Sequence, residues 1–465
     1  MELRCLSKLR GWWWKPVLAM WLAALAIPSL RAAEGLTWHA KTERVDADIR
    51  DWELPKLLEK VAAATGWQIY LEPGTKHLVS TKFSNLPPGE ALRLLLGNLS
   101  FGLLPQTNSS PKLFVFRTSL QEATELISPP EKGKIASSAK PIPNELIVTL
   151  KPGTKIEELA KRLGAKVLSS ADGLNTHRLQ FEDADATDAA RLALKDNSDV
   201  DSVDSNFTVP PPFQPEALTF GSAPTFNLRP KAVPDANRVI VGLIDTPIQA
   251  TGSQMEDFVL NSLSVAGKAN LPENTPTHGT SMLETLLRGM SMINEEGGVS
   301  AVRILPVDVY GNGSSTTTFD VAKGIYAAIN AGAMIINLSL GSEGDSQFLH
   351  KMIQSGHEQG VLFFAAAGNE PVTTPTYPAA YPEVVAVTAG DKKGNVASYA
   401  NHGDFVYVIA PGSSIVAFKN RVFLVMGTSA STAYSSGMAA GLAYATKKPL
   451  AQVESTIRGT LGVKP

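Results

Sequence analysis

Apolar residues recur at two different periods along this chain, and the changes of period divide it. Residues 45–49, Val-Asp-Ala-Asp-Ile, alternate as a half-buried strand does, and Leu54, Leu57, Leu58 and Val61 then recur at the spacing of one helix face. Gly66 stops that helix, and residues 67–71 read as a second strand. The pattern repeats with a strand at 79–83, a helix at 88–96, and strands at 101–104 and 113–116. Residues 34–118 thus form a small α+β module built as a twofold β-α-β repeat. Periodicity is lost over residues 119–140, which carry Ser, Pro and Lys as linkers do.

A second module spans residues 141–209. Its apolar runs predict strand 146–150, helix 155–163 stopped by Gly164, strands near 167 and at 177–181, helix 185–194 and a closing strand at 200–203. This βαββαβ order is the ferredoxin-like arrangement, which by itself says nothing about function. Residues 210–234 are Pro-rich and aperiodic, a second linker. Linkers of this kind predict modules that unfold independently. From 235 to 465 the strands are near-continuous apolar runs, at 238–244, 302–307, 334–338, 361–365 and 384–387, alternating with helical stretches such as 319–330. Such runs predict an α/β domain with a parallel sheet covered by helices on both faces.

A length of 465 residues suits about three domains, in line with this division. The net charge of −2 gives no sign of a nucleic-acid surface. Residues 1–33 read as a secretory signal: Arg4, Lys8, Arg10 and Lys15 open it, residues 16–30 are apolar, and Ala32 and Ala33 supply small residues for cleavage. A retained membrane anchor is the alternative, although the stretch falls short of the ~20 apolar residues of a spanning helix. Cys5, the only cysteine, lies inside this segment, so the exported chain has no thiol and is held by its cores alone. The protein is expected in the periplasm, the outer envelope or outside the cell.

Three short segments carry chemistry. Val241-Gly-Leu-Ile-Asp245 is an apolar strand ending in an acid, Thr277-His278-Gly-Thr280 places a His at a helix start, and Gly427-Thr-Ser429-Ala-Ser sets a Ser among small residues. A serine nucleophile needs a base to take its proton, and the base needs a carboxylate to fix its tautomer and stabilise its cation. Asp245, His278 and Ser429 supply those three groups. The plain alternatives are a turn acid, a structural His and a Ser helix cap. Ala365-Ala-Ala-Gly-Asn369 lies between the His and the Ser.

With these four motifs in the order Asp, His, Asn, Ser, the second half of the chain resembles the subtilisin-type serine peptidases. The resemblance implies an endopeptidase acting on polypeptides through an acyl-enzyme, with Asn369 and the backbone N–H of Ser429 stabilising the oxyanion. It also implies substrate-pairing edges at Gly313, Ser314 and Ser315 and at Ser339, Leu340 and Gly341, with Thr376 near the wall of the primary pocket. No cofactor is needed for such chemistry. The module at 141–209, placed directly before this domain, resembles the family's inhibitory prodomain, an intramolecular partner. The first module resembles the short N-terminal domain of secretins and TonB-dependent receptors, which implies an envelope protein partner. Three features depart from the family pattern: Pro247 two residues after the acid, Leu283 and Glu284 where small residues are usual, and a loop at 291–300 without a calcium site's spacing. Asn294, Glu295 and Glu296 offer oxygens there, but too few to support a structural Ca2+. The competing reading is an inactive, peptidase-like protein that captures peptides for an envelope complex.

Overall fold

The central sheet of the last domain follows from its apolar runs. Among the described residues its seven strands are all parallel, in the spatial order Leu263–Ser264, Arg303–Asp308, Ile240–Asp245, Ile335–Leu338, Leu362–Ala366, Val384–Gly390 and Val408–Pro411. Successive side chains leave a strand on opposite faces, and both faces are apolar here. Val241 and Leu243 join the core beneath helices His278–Ser291, Thr428–Thr446 and Leu450–Leu461, whereas Ile244, Leu305 and Val307 join the core beneath Thr318–Asn330 and Gln347–Glu358. Helices His278–Ser291 and Thr428–Thr446 cross closely because glycine stands at the contact. A Cβ on Gly437 would lie 2.0 Å from the carbonyl oxygen of Leu286, and one on Gly289 2.0 Å from that of Tyr434.

The computed structural model describes residues 35–39, 42–104, 110–127, 140–218, 228–231, 238–293, 298–391 and 393–462. The segment read as an export signal, with Cys5, lies outside these residues, as do Asn294, Glu295 and Glu296. No described helix is long and apolar enough to cross a membrane.

Residues 145–205 form an antiparallel sheet in the order Val200–Ser205, Glu145–Leu150, Thr176–Gln180, Lys166–Ala171, with helices Ile156–Leu163 and Ala184–Lys195. In the first module, helices Leu54–Thr65 and Pro88–Leu96 pack between a three-stranded and a four-stranded sheet. Two stretches expected to be linkers contain strands. Glu125–Ile127 pairs with Gln68–Leu71 and completes the first module, and Glu216–Leu218 pairs with Arg421–Met426 of the last domain. The first module and the last domain are also in contact. Tyr70, Leu104, Phe114 and Leu120 of the first module share one buried cluster with Leu424 of the last.

Candidate active site

Asp245 is the last residue of its strand, so it stands at the carboxyl edge of the sheet, where open α/β sheets leave a crevice. His278 is the first residue of its helix, held there by Thr277, whose hydroxyl accepts from the Thr280 N–H. Both side chains are about 2% exposed. His278 Nδ1 lies 2.8 Å from Asp245 Oδ1 and 3.0 Å from Oδ2, and the pair takes the form of a ring N–H donated to a carboxylate. The Thr246 N–H and hydroxyl both donate to Asp245 Oδ1, at 2.7 and 3.2 Å, and the Thr246 oxygen accepts from the Gly279 N–H at 2.8 Å. Thr246 therefore ties Asp245 to the helix that His278 opens. Pro247, for all its departure from the family pattern, supplies a carbonyl that accepts from the Thr277 hydroxyl at 2.7 Å.

On the adjacent strand, Ser339 follows Leu338 at the same edge. Ser429, the second residue of its helix, is joined to Ser339 twice: its hydroxyl donates to the Ser339 carbonyl at 3.0 Å, and its own carbonyl accepts from the Ser339 hydroxyl at 2.9 Å. Asn337 and Ser436 continue this buried polar chain. Neighbouring strands lie ~4.8 Å apart, so Ser339, to which Ser429 is bonded, stands one strand away from Asp245 at the same edge.

Asn369 follows the next strand along. Its Oδ1 accepts from the N–H of Thr428 at 2.7 Å and from its hydroxyl at 3.1 Å, which leaves the amide NH2 as the end available to donate. Gly427, the helix N-cap, has φ +129°, a conformation that L side chains rarely adopt, and a Cβ there would lie 2.9 Å from Asn369 Nδ2.

Ser429 and Asn369 line a cleft of about 770 Å3 with Ser339, Leu340, Gly341 and Thr376. The Thr376 hydroxyl donates to the Ala367 carbonyl at 2.6 Å, which fixes that wall. Gly313, Ser314 and Ser315 are exposed and do not line it. Strand pairing occurs instead just downstream, where Thr208–Val209 lies antiparallel to Thr316–Thr317. Phe207 extends it: its N–H donates to the Thr318 hydroxyl and its carbonyl accepts from the Thr318 N–H. Val209 is 2% exposed among Tyr310, Phe319 and Leu340, and residues 210–213 run on into the cleft beside Ser429. Sequence reasoning missed Thr246, Thr428 and the Thr316–Thr317 edge. Each adjoins a residue it did select, and β-branched Thr316 and Thr317 are a strand signal too short to stand alone.

Glu284 is buried and paired with Arg288 one helical turn on, and it accepts from the Ala417 N–H at 2.8 Å. Burial pushes its carboxyl up, opposed by the Arg288 charge. Its place in the helix is thus structural, joining the helix to the hairpin Ser413–Phe418/Arg421–Met426. Among the described residues no group of His, Cys, Asp and Glu is arranged to hold a metal ion.

Comparison with known proteins matches residues 236–461 to the subtilase family and residues 128–206 to the fervidolysin N-terminal prodomain. The chain is 27% identical over 317 residues to the thermophilic serine proteinase of Bacillus sp. (strain AK1), covering 65% of this chain and 78% of that one. It is 30% identical over 205 residues to subtilisin Savinase of Lederbergia lenta, covering 41% of this chain and 76% of the relative. Fervidolysin from Fervidobacterium pennivorans, described as a keratinolytic enzyme related to subtilisin, superposes with a TM-score of 0.53 at 18% identity over 70% of this chain and 57% of that one, a likeness of fold. The chain belongs to the subtilase family of serine peptidases, with a prodomain ahead of its peptidase domain.

Proposed function

We propose that the protein is an exported endopeptidase, made as a self-inhibited precursor, that cleaves polypeptides through an acyl-enzyme on Ser429. One observation carries the reading. A buried His–Asp pair, a serine at a helix N-terminus and an asparagine with a free amide end converge at the carboxyl edge of three neighbouring strands.

The chemistry follows from the donors. With Nδ1–H given to Asp245, the His278 ring keeps Nε2 as its acceptor. In this reading the Ser429 hydroxyl leaves the Ser339 carbonyl and gives its proton to Nε2, and Oγ attacks the scissile carbonyl carbon. Charge moves to the carbonyl oxygen, where the Asn369 amide and the Ser429 N–H donate to it beside the positive end of the helix. Collapse of the tetrahedral intermediate breaks the C–N bond, and His278 returns the proton to the departing amine. Water repeats the sequence and frees the enzyme. Asp245 keeps its bond to the Nδ1–H throughout and stabilises the imidazolium.

Residues 206–213 act as the built-in inhibitor. Buried Asn206 accepts from the Thr318 hydroxyl and the Phe319 N–H, and Arg178 bridges Glu145 to Asp320 of the peptidase domain. Asp204 accepts from Ser346 and from the Phe348 N–H at the start of a helix, where a carboxylate is stabilised. Export rests on the basic-then-apolar start of the sequence. The capture-only alternative gains nothing from this arrangement, because holding a peptide does not require a buried His–Asp pair. The test is hydrolysis of an unstructured protein such as casein by the purified full chain after self-processing. Activity is expected, together with accumulation of uncut precursor in Ser429→Ala, and a processed chain that hydrolyses nothing would refute the reading.

A further inference from the structure

The first module reaches the far end of the same cleft. One face of its four-stranded sheet packs on the peptidase domain: Tyr70 stacks on Phe114 (centroids 5.0 Å apart) and meets Tyr399 edge-on at 6.2 Å. The Ser398 hydroxyl donates to the Thr124 carbonyl at 3.1 Å and accepts from the Leu126 N–H at 2.5 Å. Lys112 pairs with Glu216, both sides of the pair being less than one-fifth exposed, and Glu216 Oε2 is buried with no other partner. Glu216 belongs to the short strand laid on Arg421–Met426, the strand that runs directly into Gly427 and Ser429. Between the module and the peptidase domain lies a cavity of about 490 Å3 that shares Phe213 and Asn369 with the catalytic cleft.

The chain between the prodomain and the peptidase domain is thus gripped on both sides of Ser429. Phe207, Thr208 and Val209 are paired upstream, and Glu216 is held downstream by a residue that precedes the prodomain in sequence. We infer that residues 35–127 form a second inhibitory clamp, whose docking through Lys112, Tyr70 and Leu126 keeps the precursor closed after the peptide bond beside Ser429 has been cut. This inference rests on the peptidase reading. Connectivity gives it force: after such a cut the module and the prodomain remain one polypeptide, while Glu216 stays with the enzyme. The released piece is then held at two surfaces, and joining two attachments through residues 128–139 makes rebinding of either one intramolecular. The apolar face that an envelope partner would use is, in this state, covered by the chain's own peptidase domain.

Lys112→Glu sets a like charge against a carboxylate whose other oxygen is already unpaired, and it should speed release by about 10- to 100-fold. Two measurements on the full chain test this. In the Ser429→Ala background, which needs no activity, Lys112→Glu should raise amide hydrogen exchange at residues 216–218 and 124–127, and adding Glu216→Lys should restore protection. In the active chain the same substitution should shorten the lag before peptide hydrolysis by the same factor, again restored by the double variant. Unchanged exchange overturns the docking, and raised exchange with an unchanged lag overturns the inhibitory role. A chain that never hydrolyses peptide fails the peptidase reading, and the clamp falls with it, even if exchange still reports the docked module.

Discussion

Replacing Gly427 by Ala tests how Asn369, the proposed oxyanion donor, is held. The backbone there has φ +129°, and an added Cβ would meet Asn369 Nδ2 at 2.9 Å and Oδ1 at 3.0 Å. Two costs follow. Holding alanine in this conformation costs about 1–3 kcal/mol of stability. Displacing the amide by a few tenths of an ångström weakens the 2.7 Å bond from the Thr428 N–H, worth about 1 kcal/mol. A total of about 2–4 kcal/mol is large but survivable for a domain with two extensive cores. The sharper effect is on rate. Losing one side-chain donor to the oxyanion, the subtilisin asparagine being the measured case, lowers turnover ~10²- to 10³-fold. Gly427→Ala should therefore cut kcat towards that range with little change in KM, and combining it with Asn369→Ala should add almost nothing, because both remove the same donor. The assay is steady-state peptide hydrolysis per titrated active site, at a temperature where circular dichroism shows both variants folded. Full kcat in folded Gly427→Ala, or multiplied losses in the double variant, would refute the reasoning.

Three further outcomes are expected. Asp245→Asn should leave the fold intact but present the wrong His278 tautomer, lowering kcat by ~10⁴, and adding Ser429→Ala should cost little beyond the Ser429→Ala loss alone; losses that multiply in steady-state kinetics would break the unit apart. Burial holds the pKa of His177 in the prodomain below its usual 6.5, opposed by Asp172 and Glu157. The fold thus favours the neutral ring, so its stabilising contribution is complete above pH 6.5 and is lost as pH falls through the lowered value. Urea unfolding of the prodomain sheet, followed by hydrogen exchange in the Ser429→Ala chain, should come at lower urea at pH 5 than at pH 7.5, and His177→Gln should shrink that difference. Proline lacks the N–H that strand pairing uses, so self-cleavage should avoid the bonds preceding Pro210, Pro211 and Pro212 and fall after Phe213 and before Glu216. A mature N-terminus at any of those prolines, read by N-terminal sequencing, would contradict this.

Much of the architecture was legible because the strands of the peptidase domain are apolar on both sides and its helices are periodic. The helix expected at 88–96 is Pro88–Leu96, and the strand expected at 384–387 is the start of Val384–Gly390. The placement of the candidate site residues was legible where local sequence imposes geometry: a strand ending in Asp245, a helix opening at His278, a Gly-Thr-Ser turn. What escaped notice depends on distant partners. Glu125–Ile127 and Glu216–Leu218 are three residues each, too short to show a period, and they exist because Gln68–Leu71 and Arg421–Met426 offer free edges. The docking of the first module was hidden for the same reason. Tyr70 and Phe114 read as ordinary interior positions of strands, and only the fold shows that the cluster they enter includes Leu424 of another domain.

The central claim is that Ser429 is the nucleophile of a working peptidase. Its most direct test is a fluorophosphonate probe, applied to the self-processed chain and mapped by peptide mass spectrometry. The account predicts one stoichiometric adduct on Ser429, absent from Ser429→Ala and strongly slowed in His278→Ala. An unlabelled Ser429 in processed, folded protein, or an adduct on another serine, would contradict it.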